Sequence, residues 1–398
     1  MHAIADTKSL VADGVIDARQ ARVIEARARE TMVALAINSI LCFGIVAATA
    51  GLIFWLANAV SVAVFGALAL AGGLVLLARG GEMYRMFGNA AALIGAGMLI
   101  GGGVFELIDK YEGSAGWVML FAGVPVAVAG AVALWRGAWT THFVTGAIFL
   151  MGVALHLGGC ALVLIQYEVT GLPVAAMYLY ASLLIAGAGM LTDVRLVTAL
   201  AIAPFAQMLD TGTAYFHAAY VFYSPEPTLT ILQMGVMVLL LIWAKNVWPE
   251  RWARHARVLS VLGFIVASLC ALVGSLWGDV VGETMWGPGR FSDPDQTWEE
   301  FEAQREAFRE GTLVISHHVY SVVWAVVLAV VIYIAAVRAN RGIFNAAMTF
   351  AGIHAYTQLF ESFGDEPLAY VVGGLAAIPL AWGMWRLNGW MTARQEPG

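Results

Sequence analysis

Charged residues are scarce in this chain: Asp, Glu, Lys and Arg together make up 12% of its 398 residues, whereas 61% of the residues are hydrophobic. A soluble domain of ordinary composition is about 25% charged and about 45–50% apolar. So few charges cannot cover a water-exposed surface of this size. We therefore expect an integral membrane protein whose main partner is the lipid bilayer, and we expect no nucleic-acid partner.

Cysteine is also scarce, and several functional motifs are missing. Cys42, Cys160 and Cys270 each lie inside an apolar segment, without the spacing of a metal site or a disulfide framework. There is no phosphate-binding Gly-x-x-x-x-Gly-Lys-Ser/Thr motif and no Gly-x-Ser-x-Gly motif. No lysine lies in the middle of an apolar segment, which excludes a retinal Schiff base. We expect no metal and no cofactor, and an intramembrane enzyme is the least favoured class.

Long apolar runs separated by short polar loops fill most of the chain. A bilayer core of about 30 Å needs about 20 helical residues, so runs of this length are typical of membrane-spanning helices. Their continuous hydrophobicity differs from the alternating pattern of β-barrel strands. The predicted class is therefore all-α, a polytopic bundle of about twelve helices. The predicted spans are 33–57, 60–78, 89–108, 116–135, 140–165, 174–191, 196–222, 229–248, 258–280, 313–337, 343–361 and 368–388.

The loops between these spans fall into two sets of opposite charge. Of the 21 Lys and Arg residues, 17 lie on the side of the N-terminus, and 17 of the 27 acids lie on the other side. Basic residues beside membrane helices mark the cytoplasmic side. The sequence therefore predicts cytoplasmic N- and C-termini, an acidic outer face and a location in a bacterial cytoplasmic (inner) membrane.

Four regions follow from this topology: a cytoplasmic helical segment at 1–30, helices one to nine at 31–280, an extracytoplasmic insert at 281–312, and helices ten to twelve with a short tail at 313–398. Segment 1–30 is predicted to form two short helices broken at Asp13-Gly14. Asp17 caps the second helix, and Val23 and Ile24 lie on its apolar side. Since the first apolar run begins only near residue 31, we expect no cleavable signal peptide.

The insert is predicted to contain an amphipathic helix. Thr297, followed three residues later by Glu300, has the pattern of a capping box. Trp298, Phe301 and Phe308 fall on one side of the helix that follows, with Arg305 and the acids elsewhere. Such a helix lies on lipid headgroups or covers an opening between helices, and both alternatives stay open.

Internal repetition is weak in this sequence. Residues 94–99 resemble residues 186–191, both short Gly/Ala-rich stretches in helices that run in opposite directions. An inverted repeat and ordinary small-residue helix contacts explain the likeness equally well. Gly97 and Gly101, four residues apart, form a candidate helix contact.

The seventh predicted helix carries the leading candidate site. Pro204 is predicted to interrupt its hydrogen-bond ladder. Gln207, Asp210 and His217 then lie on one face, with Asp210 near the predicted midplane. Ionisable groups inside membrane helices usually face the bundle interior. Asp210 is interpreted either as a transport or proton-relay group, with His217 two turns outward, or as a structural hydrogen-bond hub.

Further candidates lie in other predicted helices. His354, Gln358 and Glu361 share one face of the eleventh helix. The secondary candidates are His317, His156, Glu106 and Asp279. The alternative interpretation makes His354 and His156 packing residues, and makes Glu106, Asp109, Asp279 and Glu361 water-exposed helix ends. His317 and His318 are adjacent, and adjacent helical residues diverge by about 100°, so we expect them not to share one site.

Three stretches carry a family resemblance. Gly14-Val15-Ile16-Asp17-Ala18-Arg19-Gln20 precedes a hairpin with Gly51-Leu52-Ile53-Phe54-Trp55-Leu56-Ala57-Asn58, and the ending includes Asn340-Arg341-Gly342-Ile343-Phe344-Asn345. The order resembles an uncharacterised family of bacterial predicted inner-membrane proteins, although Asn58-Ala59 stands where that family usually has Asn-Trp. The resemblance implies a short cytoplasmic segment followed by a polytopic bundle. It implies no activity.

Two classes of function are compatible with these features. The first is a transporter or permease of a small solute or ion, in which Asp210 and His217 bind or couple, and His354 and Glu361 lie across the interior. The second is a non-catalytic membrane subunit or assembly factor. It docks a protein partner through residues 1–30 or through the insert at 281–312.

Overall fold

The computed structural model of this chain is almost entirely helical. It describes residues 7–12, 14–29, 59–79, 85–136, 142–209, 226–288, 297–338, 340–363 and 366–393, with a few isolated positions between 40 and 51. The predicted all-α class is confirmed. Within the described residues, eight helices are long and apolar enough to cross a membrane, which indicates a membrane-embedded protein. The chain divides into unit 1, Met1–Tyr167, and unit 2, Glu168–Gly398.

Unit 1 begins with two short helices and continues with two long helical hairpins. Its described helices are α1 (Thr7–Ala12), α2 (residues 18–29), α3 (Ala59–Arg79), α4 (Arg85–Lys110), α5 (Glu112–Arg136) and α6 (His142–Gln166). Gly14, with φ of 68°, lies between α1 and α2. Asp17 Oδ1 accepts from the Gln20 nitrogen at 2.6 Å, and Gln20 Oε1 accepts from the Asp17 nitrogen at 2.9 Å. The predicted break and cap are therefore confirmed.

Glycines recur every seven residues along the four long helices of unit 1. They are Gly66 and Gly73 in α3, Gly88, Gly95 and Gly102 in α4, Gly116, Gly123 and Gly130 in α5, and Gly152 and Gly159 in α6. A Cβ at Gly95 would lie 2.2 Å from the Leu70 nitrogen of α3, and one at Gly159 would lie 2.2 Å from the Leu120 nitrogen of α5. Only glycine permits backbones this close, and such contact holds helices together in lipid. We call these rows the glycine seams.

Unit 2 contains ten helices and one small sheet among its described residues. The elements are α7 (Leu172–Thr192), α8 (Arg195–Leu200), α9 (Ile202–Gln207), α10 (Pro227–Val247), α11 (Glu250–Trp277), β1 (Asp279–Val280), α12 (Glu283–Trp286), α13 (Trp298–Glu310), β2 (Val314–Ile315), α14 (His317–Val337), α15 (Arg341–Phe363) and α16 (Pro367–Ala393). Strands β1 and β2 pair antiparallel, with Asp279 opposite Ile315. This pairing closes the base of the insert.

Helix α11 is the centre of unit 2. In its most apolar window 61% of residues are buried, against 22–33% in the other seven candidate spans. Cys270 and Ala271 of α11 are fully buried, beside the fully buried Met234 of α10 and Ala347 of α15. We call the end where α11 finishes and α14 begins the insert end. The opposite end, where α7 finishes and α11 begins with Arg251 and Arg254, is the arginine end.

Several predicted spans differ from the described helices. Span 33–57 lies almost wholly outside the described residues. The seventh span is broken: α8 ends at Leu200 and α9 begins at Ile202. In a continuous helix the carbonyl of Leu200 would accept a hydrogen bond from the N–H of residue 204, but Pro204 has no N–H to donate. The spans at 343–361 and 368–388 are helical as α15 and α16, but they are not among the eight candidates. The count of twelve and the cytoplasmic termini stay predictions.

Candidate functional site

Of the three leading candidates predicted on the seventh span, the structure describes only Gln207. Asp210 and His217 lie outside the described residues. Gln207 is the last residue of α9 and is half-buried. The predicted polar face of the seventh span therefore stays a prediction beyond this point.

The candidates on α15 contact two different helices. His354 is buried, and its Nε2 lies 2.9 Å from the Ser321 carbonyl of α14. Because a carbonyl only accepts, Nε2 carries the proton, while Nδ1 is buried with no hydrogen-bond partner in the described ranges. Gln358 Nε2 donates to Ser275 Oγ of α11 at 3.1 Å. Glu361 is exposed. His354 therefore joins α15 to α14, and Gln358 joins α15 to α11.

The secondary candidates outside α15 are dispersed. In unit 1, Glu106 pairs with Lys110 at 2.6 Å, and His156 Nδ1 donates to the Leu120 carbonyl at 2.9 Å. His317 and His318 are both exposed in unit 2, yet their ring centroids lie 3.9 Å apart. The rings therefore lie close together, and whether the two histidines serve one site stays a prediction.

Asp279 forms the core of a polar cluster at the insert end. Its Oδ2 accepts from the Thr228 nitrogen at 2.9 Å, from the Thr228 hydroxyl, and from Tyr320 Oη at 2.9 Å. The residue is only 5% exposed, so its interpretation as a water-exposed helix end was wrong. The other oxygen, Oδ1, is buried and has no hydrogen-bond partner among the described residues. A buried carboxylate is costly unless it is paired and hydrogen-bonded, so this oxygen has unused capacity to accept.

Glu226 is the second buried acid of this cluster, at 3% exposure. Its Oε1 accepts from the Gly282 nitrogen at 2.6 Å, and its Oε2 accepts from the Thr284 nitrogen at 3.0 Å. Both nitrogens belong to the first turn of the insert. Glu226 precedes α10, so the carboxylate ties the insert directly to the helix bundle.

The amphipathic helix of the insert is α13. The predicted capping box is confirmed, since Thr297 and Glu300 each accept from the other's backbone nitrogen. Phe301 is buried, but Trp298 is 54% exposed. Arg305, predicted to lie away from Phe301, occupies the same side of the helix and pairs with Glu283. The inner face of α13 therefore combines an aromatic ring with an ion pair.

A second polar cluster, which sequence reasoning missed, lies at the arginine end. His255 is fully buried. Its Nδ1 lies 2.6 Å from Thr198 Oγ1 of α8, and its Nε2 lies 3.0 Å from Asp193 Oδ1. Asp193 follows α7 in a left-handed conformation, with φ of 56°. His255 lies in the loop predicted between spans 229–248 and 258–280, whereas in the structure α11 begins at Glu250 and includes it.

The charge of Asp193 is stabilised by its neighbours. The hydrogen bond with His255 lowers the pKa of the Asp193 carboxyl, and Arg254 and Arg251, at 3.3 and 3.9 Å, lower it further. A lowered folded-state pKa contributes stability above the unfolded value near pH 4, and this contribution is lost as pH falls through the folded value.

Asp193→Asn is therefore expected to lower the thermal midpoint in detergent more at pH 6 than near pH 3. Thermal unfolding followed by intrinsic fluorescence measures both proteins at both pH values. An equal difference at the two pH values would show that the charge of Asp193 is not the cause.

Among the described residues, no group of three or more His, Cys, Asp or Glu side chains is placed to hold a metal ion. Comparisons of the chain with protein-family models, with curated proteins and with solved structures find no match.

Proposed function

We propose that this chain is a membrane transporter of a small solute that carries a positive charge or hydrogen-bond donors, with its binding site at the insert end. The observation that carries the proposal is the buried Asp279, whose Oδ1 has no hydrogen-bond partner in the part of the chain that the structure describes. Ionisable groups buried among membrane helices mark substrate or ion pathways. A cationic or donor group of a solute would complete the hydrogen bonding of this carboxylate.

Three further polar atoms of unit 2 are buried without a hydrogen-bond partner among the described residues: Thr230 Oγ1, Trp324 Nε1 and His354 Nδ1. Unsatisfied buried groups are rare in proteins, and each one calls for an explanation such as a bound polar ligand or water.

The insert supplies a cover for this site. Glu226 anchors its first turn, the β1–β2 pair closes its base, and Glu283 pairs with Arg305 across it. The charge pattern of the loops predicts that this end faces away from the cytoplasm. A solute would therefore enter from the extracytoplasmic side, beside or beneath the insert.

Asp279→Asn is expected to reduce transport at least tenfold, because the amide has no charge and offers a donor in place of an acceptor. Purified protein in proteoliposomes on a solid-supported membrane is screened for currents with choline, basic amino acids and small amines. Glu302→Gln, an exposed acid of α13, is the matched control with wild-type currents expected. If Asp279→Asn gave the same currents as the wild type, Asp279 would have no role in transport. If vesicles with the wild-type protein gave the same currents as empty vesicles for every solute, transport would be refuted.

A partner-docking subunit is the second candidate function. The N-terminal segment exposes three apolar side chains, with Val15 67%, Val23 49% and Ile24 41% accessible. Exposed apolar groups on one segment are typical of a protein–protein contact. Affinity purification in mild detergent, with deletions of 1–30 and of 281–312, tests this. A stoichiometric partner that is lost with either deletion would favour docking over transport.

A further inference from the structure

Three cations from three different helices converge at the arginine end of unit 2. Lys245 lies in the last turn of α10, Arg257 lies in the second turn of α11, and Arg338 directly follows α14. Both α10 and α14 pack against α11. Lys245 lies within electrostatic reach of Arg257 and Arg338, which both repel it. We call these three residues the cation cluster.

The acids of this end neutralise the cation cluster only in part. Glu250 pairs with Arg257, whose Nη2 donates to both carboxylate oxygens at 2.8 Å. Asp193 is engaged by other arginines of α11. Lys245 and Arg338 form no ion pair with any residue that the structure describes. Because Lys245 is half-buried, water screens the repulsion less well there, and an anion placed among these cations would be stabilised.

The cation cluster lies at the level of lipid headgroups. Helices α10, α11 and α14 are all long and apolar enough to cross a membrane, and Lys245 and Arg338 lie at the ends of α10 and α14. Helix α11 has 28 residues. Its length of about 42 Å exceeds a bilayer core of about 30 Å by about 12 Å. The charged first two turns of α11 account for this excess, so Arg257 also lies near the surface of the core.

Apolar side chains continue from the cation cluster toward the membrane interior. Ile334 and Val330 lie one and two turns before Arg338 on α14 and are 44% and 49% exposed. Trp248 and Trp252, with ring centroids 6.3 Å apart, lie at the same end, and tryptophan is typical of the membrane–water interface. A free phosphate ion would use none of this apolar surface. A phospholipid would place its phosphate among the cations and an acyl chain on the apolar side chains.

We propose that the cation cluster binds the phosphate of an anionic phospholipid from the surrounding bilayer, with an acyl chain along Ile334 and Val330 of α14. The charge pattern of the loops predicts that the arginine end faces the cytoplasm, and the cytoplasmic leaflet carries anionic lipids. The bound lipid would offset the repulsion among the three cations and join the ends of α10, α11 and α14. The proposal does not depend on the transport function.

Native mass spectrometry of the full chain in a neutral detergent tests this proposal, because it measures the binding of single lipid molecules. Dioleoyl phosphatidylglycerol, which is anionic, is compared with dioleoyl phosphatidylcholine, which has the same acyl chains and no net charge. We expect phosphatidylglycerol to bind roughly tenfold more tightly or better, since each basic residue near an anionic headgroup contributes about fivefold in affinity. The double variant Lys245→Gln, Arg338→Gln is expected to lose about 25-fold in affinity for phosphatidylglycerol and to bind phosphatidylcholine as wild type does.

Three matched variants separate charge from other effects. Arg195→Gln removes an exposed cation of α8 at the same end and is expected to leave the affinity for phosphatidylglycerol unchanged. Lys245→Arg keeps the positive charge and is expected to retain binding. Glu250→Gln removes the carboxylate beside Arg257 and is expected to strengthen binding, because its repulsion of the lipid phosphate is lost.

Inorganic phosphate and glycerol 3-phosphate, added to the same assay, distinguish the lipid from a soluble anion. We expect neither to displace phosphatidylglycerol at equal concentration, and displacement by either would overturn the lipid as the occupant. Equal affinities for the two lipids, or an unchanged affinity in the double variant, would overturn the site itself. If the double variant aggregates in size-exclusion chromatography, the single variants Lys245→Gln and Arg338→Gln take its place, each with an expected loss of about fivefold. Wild-type affinity in both single variants would then refute the proposal.

Discussion

Replacing Gly95 by alanine is expected to push α3 away from α4 and to destabilise the protein strongly. The new methyl group would lie 2.2 Å from the Leu70 nitrogen and 2.6 Å from the Gly66 carbonyl oxygen. Both obstacles are backbone atoms of a helix, so no side-chain rotation relieves the clash. Overpacking of a core costs about 1–3 kcal/mol, and more where the surroundings cannot move. We expect about 3 kcal/mol or more here.

A loss of this size lowers the thermal midpoint by roughly 10 °C, on the scaling of about 2–4 °C per kcal/mol for domains of this size. Size-exclusion chromatography after stepwise heating in detergent measures it. Gly159→Ala is expected to behave similarly in the α5–α6 hairpin, because its Cβ would lie 2.2 Å from the Leu120 nitrogen.

The same helices offer matched controls. A Cβ at Gly103 of α4 or at Gly72 of α3 would meet no atom within 4 Å. Alanine also has a higher helix propensity than glycine, by about 1 kcal/mol. Gly103→Ala and Gly72→Ala are therefore expected to be as stable as wild type or slightly more stable. If Gly95→Ala and Gly103→Ala had the same midpoint, backbone contact at the glycine seams could not be what holds the hairpins.

Replacing Glu226 by alanine is expected to release the start of the insert from the helix bundle. The carboxylate accepts from the backbone nitrogens of Gly282 and Thr284, and its removal leaves both donors without this acceptor. Hydrogen bonds to a charged group contribute about 1.5–3 kcal/mol each. A local loss of about 3 kcal/mol corresponds to roughly a 100-fold change in an opening equilibrium.

Hydrogen exchange of the peptides that contain Gly282 and Thr284 measures this release. Exchange is expected to accelerate by about two orders of magnitude in Glu226→Ala, with little change in α14. Glu302→Ala, at an exposed position of α13, is the control and is expected to exchange like wild type. Unchanged exchange in Glu226→Ala would mean that other contacts of the insert hold it in place.

Local features of the chain were predicted well because they depend on residues close in sequence. The caps at Asp17 and Thr297 require only a partner three residues away. The long apolar helices follow from hydrophobicity alone. The interruption near Pro204 follows from its missing N–H. None of these features needs knowledge of which helices are neighbours.

The glycine seams were missed although their signal is present in the sequence. Glycine recurs every seven residues in four successive helices, whereas the predicted contact used Gly97 and Gly101 at a spacing of four. Glycines are so frequent in this chain, at 43 residues, that the seven-residue rows are hidden among others. Only the structure shows that these rows pack against the neighbouring helix.

The candidate site was predicted in part. Asp279 and His354 were named from the sequence, but Asp279 was interpreted as exposed, and Glu226, Tyr320 and His255 were not named. A carboxylate after a helix is normally exposed to water, but the pairing of β1 with β2 and the contacts with Thr228 and Tyr320 bury this one. Likewise, a histidine with arginine neighbours in the sequence is expected in an exposed loop, and only the packing of α7 and α8 against it buries this one.

By itself, the sequence determined the helical class, the apolar helices and the local caps, because hydrophobicity and short-range hydrogen bonding act between near neighbours. Tertiary structure alone decided which carboxylates are buried and which histidine bridges Asp193 and Thr198. Burial and long-range hydrogen bonds join residues 51 to 62 positions apart, as between Thr228 and Asp279 or Asp193 and His255. Such pairs are set by the packing of whole helices, and no local pattern encodes them.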